Sequence, residues 1–143
     1  MSEGDRPEAA TAPSLNEEDR LGLEKGVAEF NAGYFFECHD TLEDVWSGIR
    51  GSARDFFQGL IQVSVGFYHH GNGNRGGALT MLDRGLERLA KYPDRYHGVE
   101  LAGLRREVAE WRARIEAGES FPEDPARLPK YRLDPAPPDA NSG

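Results

Sequence analysis

His39 and Glu43 are the residues whose types and spacing could do chemistry in this chain. They lie in the stretch Tyr34 to Ile49, which reads YFFECHDTLEDVWSGI, and residues four apart on an α-helix are direct neighbours. With a 100° step per residue, Phe35, Cys38, Leu42, Val45, Trp46 and Ile49 fall on one arc, and Glu37, Asp40, Thr41 and Asp44 fall on the opposite one. That is the pattern of a helix with one wet face. His39 falls beside Trp46 inside the apolar arc, Glu43 lies one turn further on, and Phe36 closes the arc. The pair is therefore expected to be bracketed by aromatic side chains. A carboxylate buried without a partner costs on the order of several kcal/mol, so Glu43 needs a proton, a hydrogen bond or a cation. In one reading His39 and Glu43 satisfy each other, or reach partners on other helices, and only hold the fold. In the other they face a common cavity and bind a divalent metal, since imidazole plus carboxylate suits Zn, Mn, Fe or Ni. Two ligands are too few for a complete zinc site, because a structural zinc takes four protein ligands and a catalytic zinc three plus water.

The candidate third ligand comes from the next helix, expected over residues 53–70. Its positions Phe56, Leu60, Val63 and Phe67 form one apolar side, and Phe57, Ile61, Val65 and Tyr68 form the adjacent one. A helix apolar over most of its circumference belongs in the middle of a bundle. One narrow polar strip remains, carrying Asp55, Gln58, Gln62 and His69. If the strip faces water, it marks the edge of the bundle. If it faces His39 and Glu43, His69 completes the metal ligands, and Gln58 and Gln62 stand behind them or against a substrate. A solvent strip is usually Lys and Glu; amides and an imidazole favour the second arrangement. Gly59 and Gly66 sit beside the strip, where glycine is unfavourable unless another helix must come close.

The elements around this pair follow from the same periodicity. Ser14 and Glu17 have the spacing of a capping box, which starts a helix over residues 16–31 with Leu23, Val27 and Phe30 inward; Gly33 stops it. The short link makes it an antiparallel neighbour of the His39 helix. His70-Gly71-Asn72-Gly73-Asn74 reads as a loop. A fourth helix, over 75–91, carries Leu79, Leu82, Leu86 and Leu89, and a fifth, over 99–117, carries Leu101, Leu104, Val108, Trp111 and Ile115. On the fifth, Arg105, Arg106, Glu107 and Glu110 suggest a solvated face with ion pairs along the helix. No stretch alternates like a strand for more than a few residues. The fold class is all-α, a single bundle of about five helices spanning 14–118. A polar tail over 1–13 precedes it, and a Pro-rich arm over 119–143 follows, extended on the bundle to about Leu133 and disordered beyond.

Composition narrows the function classes. The chain has 143 residues and a formal net charge of −8, with no basic stripe, which argues against nucleic acid and against an anionic membrane surface. No apolar run is long enough to span a bilayer, and no secretory leader is visible. The single cysteine, Cys38, allows no internal disulfide and reads as a small core residue. A reducing cytoplasm is the expected setting.

Several pieces together resemble a known family. They are Phe30-Asn31 with Gly33, the run Glu37-x-His39-x-x-x-Glu43-x-x-Trp46, Gln58-Gly59-Leu60-Ile61-Gln62, Tyr68-His69 and Gly71-Asn72. From Phe30 to about Tyr92 the chain resembles the prokaryotic domain of unknown function numbered 309. The resemblance implies a small helical bundle and a metal-binding role for the His-x-x-x-Glu-x-x-Trp motif, which falls on His39, Glu43 and Trp46. Asp40 stands where the family often has Glu. The candidate metal ligands are thus His39, Glu43 and His69, with Gln58, Gln62, Tyr68 and Trp46 as residues that would contact a bound small molecule. Trp46 is either a wall of that pocket or plain core.

Three classes of function remain open. In the first, a metal-dependent hydrolase, Glu43 is the only candidate for a catalytic base. A di-iron bundle is a poor match, because it needs Glu-x-x-His pairs and carboxylates from four helices. The second is a non-catalytic helical module that binds a small molecule or a protein. In the third, the His/Glu/Gln cluster is purely structural.

Overall fold

The computed structural model describes residues 15–134; the expected tail over 1–13, the Ser14 cap and the end of the arm lie outside the described residues. The described chain is all-α apart from one very short hairpin. Its elements are α1 (Glu17–Asn31), α2 (Phe35–Gly48), α3 (Ala53–Gly71), α4 (Arg75–Leu89), β1 (Arg95–Tyr96), β2 (Val99–Glu100) and α5 (Leu101–Glu116), followed by a single 3₁₀ turn at Pro125–Arg127. Successive helices pack on one another, with the most extensive contact between α3 and α4. Among the described residues no helix is long and apolar enough to cross a membrane.

The N-terminus of α1 is capped by Asn16, whose side-chain oxygen accepts from the Asp19 amide at 2.7 Å. Leu23, Val27 and Phe30 point inward as expected. Gly33 takes a φ of 87°, a left-handed conformation that glycine adopts without strain, and the chain reverses into α2. There Phe35, Cys38, Leu42, Val45 and Ile49 are buried. The buried arc is narrower than periodicity suggested. α2 packs against α1 and α3, and these cover one side of it, so Phe36 and Glu43, at the edge of the arc, are exposed.

α3 is the central helix, with twelve of its nineteen residues buried. It ends at Gly71, one residue beyond the expected end, and His70, which also fell in the expected loop, is helical and buried. α3 and α4 approach closely where both lack side chains. A methyl group added at Gly66 would stand 2.6 Å from a Leu82 methyl, and one added at Gly85 would stand 3.0 Å from the Gly59 carbonyl oxygen and 3.2 Å from the Val63 nitrogen. The buried face of α4 is therefore Ala78, Leu82, Gly85 and Leu89. The expected stripe had Leu79 and Leu86 in place of Ala78 and Gly85, and both leucines are only partly buried. The small residues take the tight seam and the leucines flank it.

Two further differences concern the C-terminal third. Residue 99, the expected start of a helix, lies in β2, which pairs antiparallel with β1 through Arg95 opposite Glu100 and Tyr96 opposite Val99. The intervening His97 and Gly98 both have positive φ, 47° and 82°, the geometry of a tight two-residue hairpin turn. Of the four charged residues expected on the solvated face of α5, Arg106 and Glu110 are exposed, whereas Arg105 and Glu107 reach other elements. Arg105 donates to the carbonyls of Leu89 and Tyr92, at 3.1 and 3.2 Å, closing the C-terminal end of α4. Glu107 accepts from the Lys130 amide and pairs with Arg132.

The arm after α5 is stitched to the bundle. Trp111 donates to the Arg127 carbonyl at 3.1 Å. Leu133 bridges Val99 in antiparallel fashion, and the Glu100 amide donates to the Arg132 carbonyl at 2.9 Å. Asn31 holds the arm at its centre: its side-chain NH₂ donates to the Tyr131 carbonyl at 2.9 Å and its side-chain oxygen accepts from the Tyr131 amide at 2.8 Å. The buried Tyr131 ring stacks on Phe30, with centroids 4.1 Å apart. Phe30 in turn meets Phe35 and Phe67 edge-on.

Two substitutions test this account. Asn31→Ala leaves both Tyr131 backbone groups without their partner, and we expect a loss of about 1–3 kcal/mol in urea unfolding, with earlier proteolytic cleavage within 119–134. Gly85→Ala gains about 1 kcal/mol of helix propensity but meets backbone atoms that cannot rotate away. Overpacking of about 1–3 kcal/mol should win, and the thermal midpoint should fall.

Candidate functional site

α2 carries the candidate site on its rim. His39 Nε2 stands 3.5 Å from Glu43 Oε2, and His39 Nδ1 stands 3.5 Å from Asp40 Oδ1. The Nδ1 contact lacks hydrogen-bond geometry, so this buried nitrogen has no hydrogen-bond partner. One donor atom each from His39, Asp40 and Glu43 lies within 4.8 Å of the others. The imidazole is the sheltered member: side-chain exposure is 24% for His39, 51% for Glu43 and 62% for Asp40. The sequence placed Asp40 on the wet face and left it out of the site; its proximity to Nδ1 follows only from the side-chain rotamers. Phe36, one turn back, lies 5.7 Å from the His39 ring and 5.5 Å from that of Tyr68.

The polar strip of α3 faces α4, not His39 and Glu43. Gln62 is buried and accepts from Arg88 Nε at 3.1 Å. Asp55 takes Arg88 Nη1 at 2.6 Å and also Lys91, and the Lys91 hydrogen bond holds its carboxyl below the usual carboxylate range. His69 Nδ1 lies 3.4 Å from Asn74 Nδ2, at the start of α4. Among the described residues His69 does not join the His39 group. Gln58 is partly buried on the same strip. The cause is the glycine seam, which turns this side of α3 toward α4. An amide strip facing basic residues is an ordinary helix–helix contact.

Trp46 is partly buried rather than full core. The Arg54 guanidinium lies 3.9 Å over its ring and donates to the Trp46 and Ile49 carbonyls, both at 3.0 Å. Trp46 therefore serves the end of α2. Tyr68, expected against a ligand, is exposed beside Phe36.

Cys38 is buried and lies 3.1 Å from the Ser64 hydroxyl; burial pushes its thiol up to about 12. It is a core residue and no nucleophile. The sequence did not single out His70, which is packed between Trp111 and Phe121 with ring centroids at 6.1 and 5.4 Å and an Nε2 without a partner. His97 has the same defect at its Nε2.

The comparisons with known proteins bear on this region. Residues 23–81 match the family Domain of unknown function (DUF309). The resemblance read from the motifs thus holds; the match begins seven residues earlier than Phe30 and ends within α4. The DUF309 segment contains His39, Glu43, Trp46, Gln58, Gln62 and His69, while the hairpin, α5 and the arm lie outside it. An uncharacterized protein of Aquifex aeolicus (strain VF5) is 25% identical over 89 residues, 62% of this chain and 27% of its own length. The uncharacterized protein YpuF of Bacillus subtilis (strain 168) is 34% identical over 65 residues, 44% of this chain and 37% of its own length. The matches thus span only 27% and 37% of these relatives' own length.

His70 and His97 give a pH prediction. Burial lowers the pKa of His70, opposed by Glu119 and by a backbone hydrogen bond to Ser120, and burial together with Arg20 lowers that of His97, both from the ordinary 6.5. As pH falls through 6.5 the unfolded chain takes up these protons and the folded one does not, so stability falls on acidification. We expect the thermal midpoint to be flat above about pH 7.5 and to drop below pH 6.5. His70→Phe should make that slope shallower, whatever its effect at neutral pH.

Proposed function

We propose that this protein is a metal-ion-binding helical protein in which His39 and Glu43 hold a divalent first-row transition ion. The observation that carries the reading is the 3.5 Å separation of His39 Nε2 and Glu43 Oε2. Two ligands each about 2.1 Å from one ion stand roughly 3 to 3.5 Å apart, so the pair fits an ion without rearrangement. The lone-pair directions of the two imidazole nitrogens diverge, so an ion on Nε2 takes Glu43 and not Asp40. Asp40 stands 3.5 Å from Nδ1 without a hydrogen bond to it, so it adds negative charge beside the imidazole and is no ligand. The motif resemblance points to the same pair.

Two protein ligands leave most coordination positions to water. Such an ion can polarise a bound oxygen. As a ligand, however, Glu43 is no longer a free base, and Gln58, Gln62 and His69 lie on the strip turned toward α4. Support for a hydrolase therefore stops at the ion, and the reading is one of binding. Exposed Tyr34, Phe36 and Tyr68 favour a second reading, a non-catalytic interaction module. The acidic balance of the chain, −8, supports neither a nucleic-acid nor an anionic-membrane role.

Calorimetric titration of chelator-treated protein with Ni²⁺, Zn²⁺ and Mn²⁺ tests the metal reading. We expect one ion per chain, bound more tightly for nickel or zinc than for manganese. His39→Ala and Glu43→Gln should each abolish binding, and Asp40→Asn, which removes only a nearby charge, should weaken it less than either. The folded state should be kept in Glu43→Gln and Asp40→Asn, since both carboxylates are exposed. Absence of heat with every ion, or binding that survives both ligand substitutions, would remove the proposal.

A further inference from the structure

One side of the bundle exposes three large aromatic residues together. Tyr34 is 60% exposed, Phe36 49% and Tyr68 40%. Tyr34 precedes α2, Phe36 lies in its first turn, and Tyr68 comes from the last part of α3. They line a shallow groove of about 330 Å³ with Glu37 and Asn72, floored by Phe121. Single exposed apolar residues need no explanation, but a contiguous patch marks an interaction surface.

The charge around these rings is of one sign. Glu37 lines the groove, and Asp40 and Glu43 continue from it along α2. Among the described residues no Lys or Arg forms an ion pair with any of the three, and Asp40 and Glu43 have only the His39 imidazole beside them. Elsewhere on the surface carboxylates do find basic partners, as in Asp83 with Arg112 and Asp55 with Arg88 and Lys91. Aromatic faces attract cations, and uncompensated carboxylates add to that attraction. A second copy of the chain is disfavoured, because two-fold pairing would press Glu37, Asp40 and Glu43 against the same acids. Phosphate-bearing partners are repelled for the same reason.

We infer that this surface docks a basic, arginine-containing segment of a partner protein, the guanidinium groups lying over the Tyr34, Phe36 and Tyr68 rings and pairing with Glu37. Arginine suits it better than lysine, because its planar, weakly hydrated head stacks on rings and still donates to carboxylates. The inference goes beyond metal binding: it stands on the rings and Glu37 and needs no ion.

The test is fluorescence anisotropy with a labelled peptide of alternating arginine and alanine, titrated with the full chain in EDTA so that no metal contributes. We expect saturable binding that the citrulline version of the peptide, neutral and of the same shape, does not show. The Tyr34→Ala, Tyr68→Ala double variant should lose about tenfold in affinity. Its fold, checked by circular dichroism, should persist because both rings are exposed. Glu37→Gln should weaken binding and flatten its salt dependence. Four results would overturn the inference: no binding; equal affinity for wild type and the double tyrosine variant, which is attraction to an acidic chain only; displacement of the peptide by tetramethylammonium at matching concentration, which marks a small-cation site; or a dimer in sedimentation velocity that the tyrosine substitutions dissolve.

Discussion

The close approach of α3 and α4 constrains everything else in this molecule. Gly59, Gly66 and Gly85 remove the side chains that would hold the two helices apart, and Leu82 and Leu89 fill the space beside them. A seam that close fixes the rotation of α3 about its own axis, because the small positions must face the partner. Once that rotation is fixed, Asp55, Gln62 and His69 are committed to the α4 side. Their partners there, Arg88, Lys91 and Asn74, satisfy groups that would otherwise be costly at a helix interface.

The same rotation places α2. Its apolar residues meet α1 and the other side of α3, with Cys38 against Ser64 in the core. His39, Asp40 and Glu43 are then left at the rim, with one donor atom of each within 4.8 Å of the others and both carboxylates open to solvent. This geometry differs from that of a buried reaction centre, where side chains are held on several elements and water is excluded. Tyr34, Phe36 and Tyr68 are exposed beside this rim for the same reason: no described helix covers that side of α2 and α3.

The C-terminal arm is a part of the core supplied from outside the DUF309 segment. Tyr131 fills the space over Phe30, and Asn31 satisfies its backbone as a paired strand would. The motif residues Phe30 and Asn31, which have no role in the candidate site, thus find their purpose in holding the arm. With α5, the segment after it also covers His70, which lies between Trp111 and Phe121 with its Nε2 unpartnered.

Most of the architecture was legible without coordinates. The helical period marked α1, α2, α3 and most of their buried positions, though Trp46, Val65 and Tyr68 lie nearer the surface than it implied; Gly33 marked a reversal, and the near-continuous apolarity of α3 marked it as central. The pairing of His39 with Glu43 is likewise local, since one helical turn separates them. What the sequence could not determine is which neighbour lies over each face. Periodicity orders residues around a helix axis but says nothing of the direction in which the next helix stands. So the amides of α3 and the buried face of α4 were placed only by the glycine seam, and the Asn31 clasp on Tyr131 depends on an encounter between residues 100 positions apart. The two-residue strands were invisible because so short a segment has no period to read. Local spacing made the imidazole–carboxylate pair; tertiary packing decided that it lies at the rim, apart from His69 and Gln62.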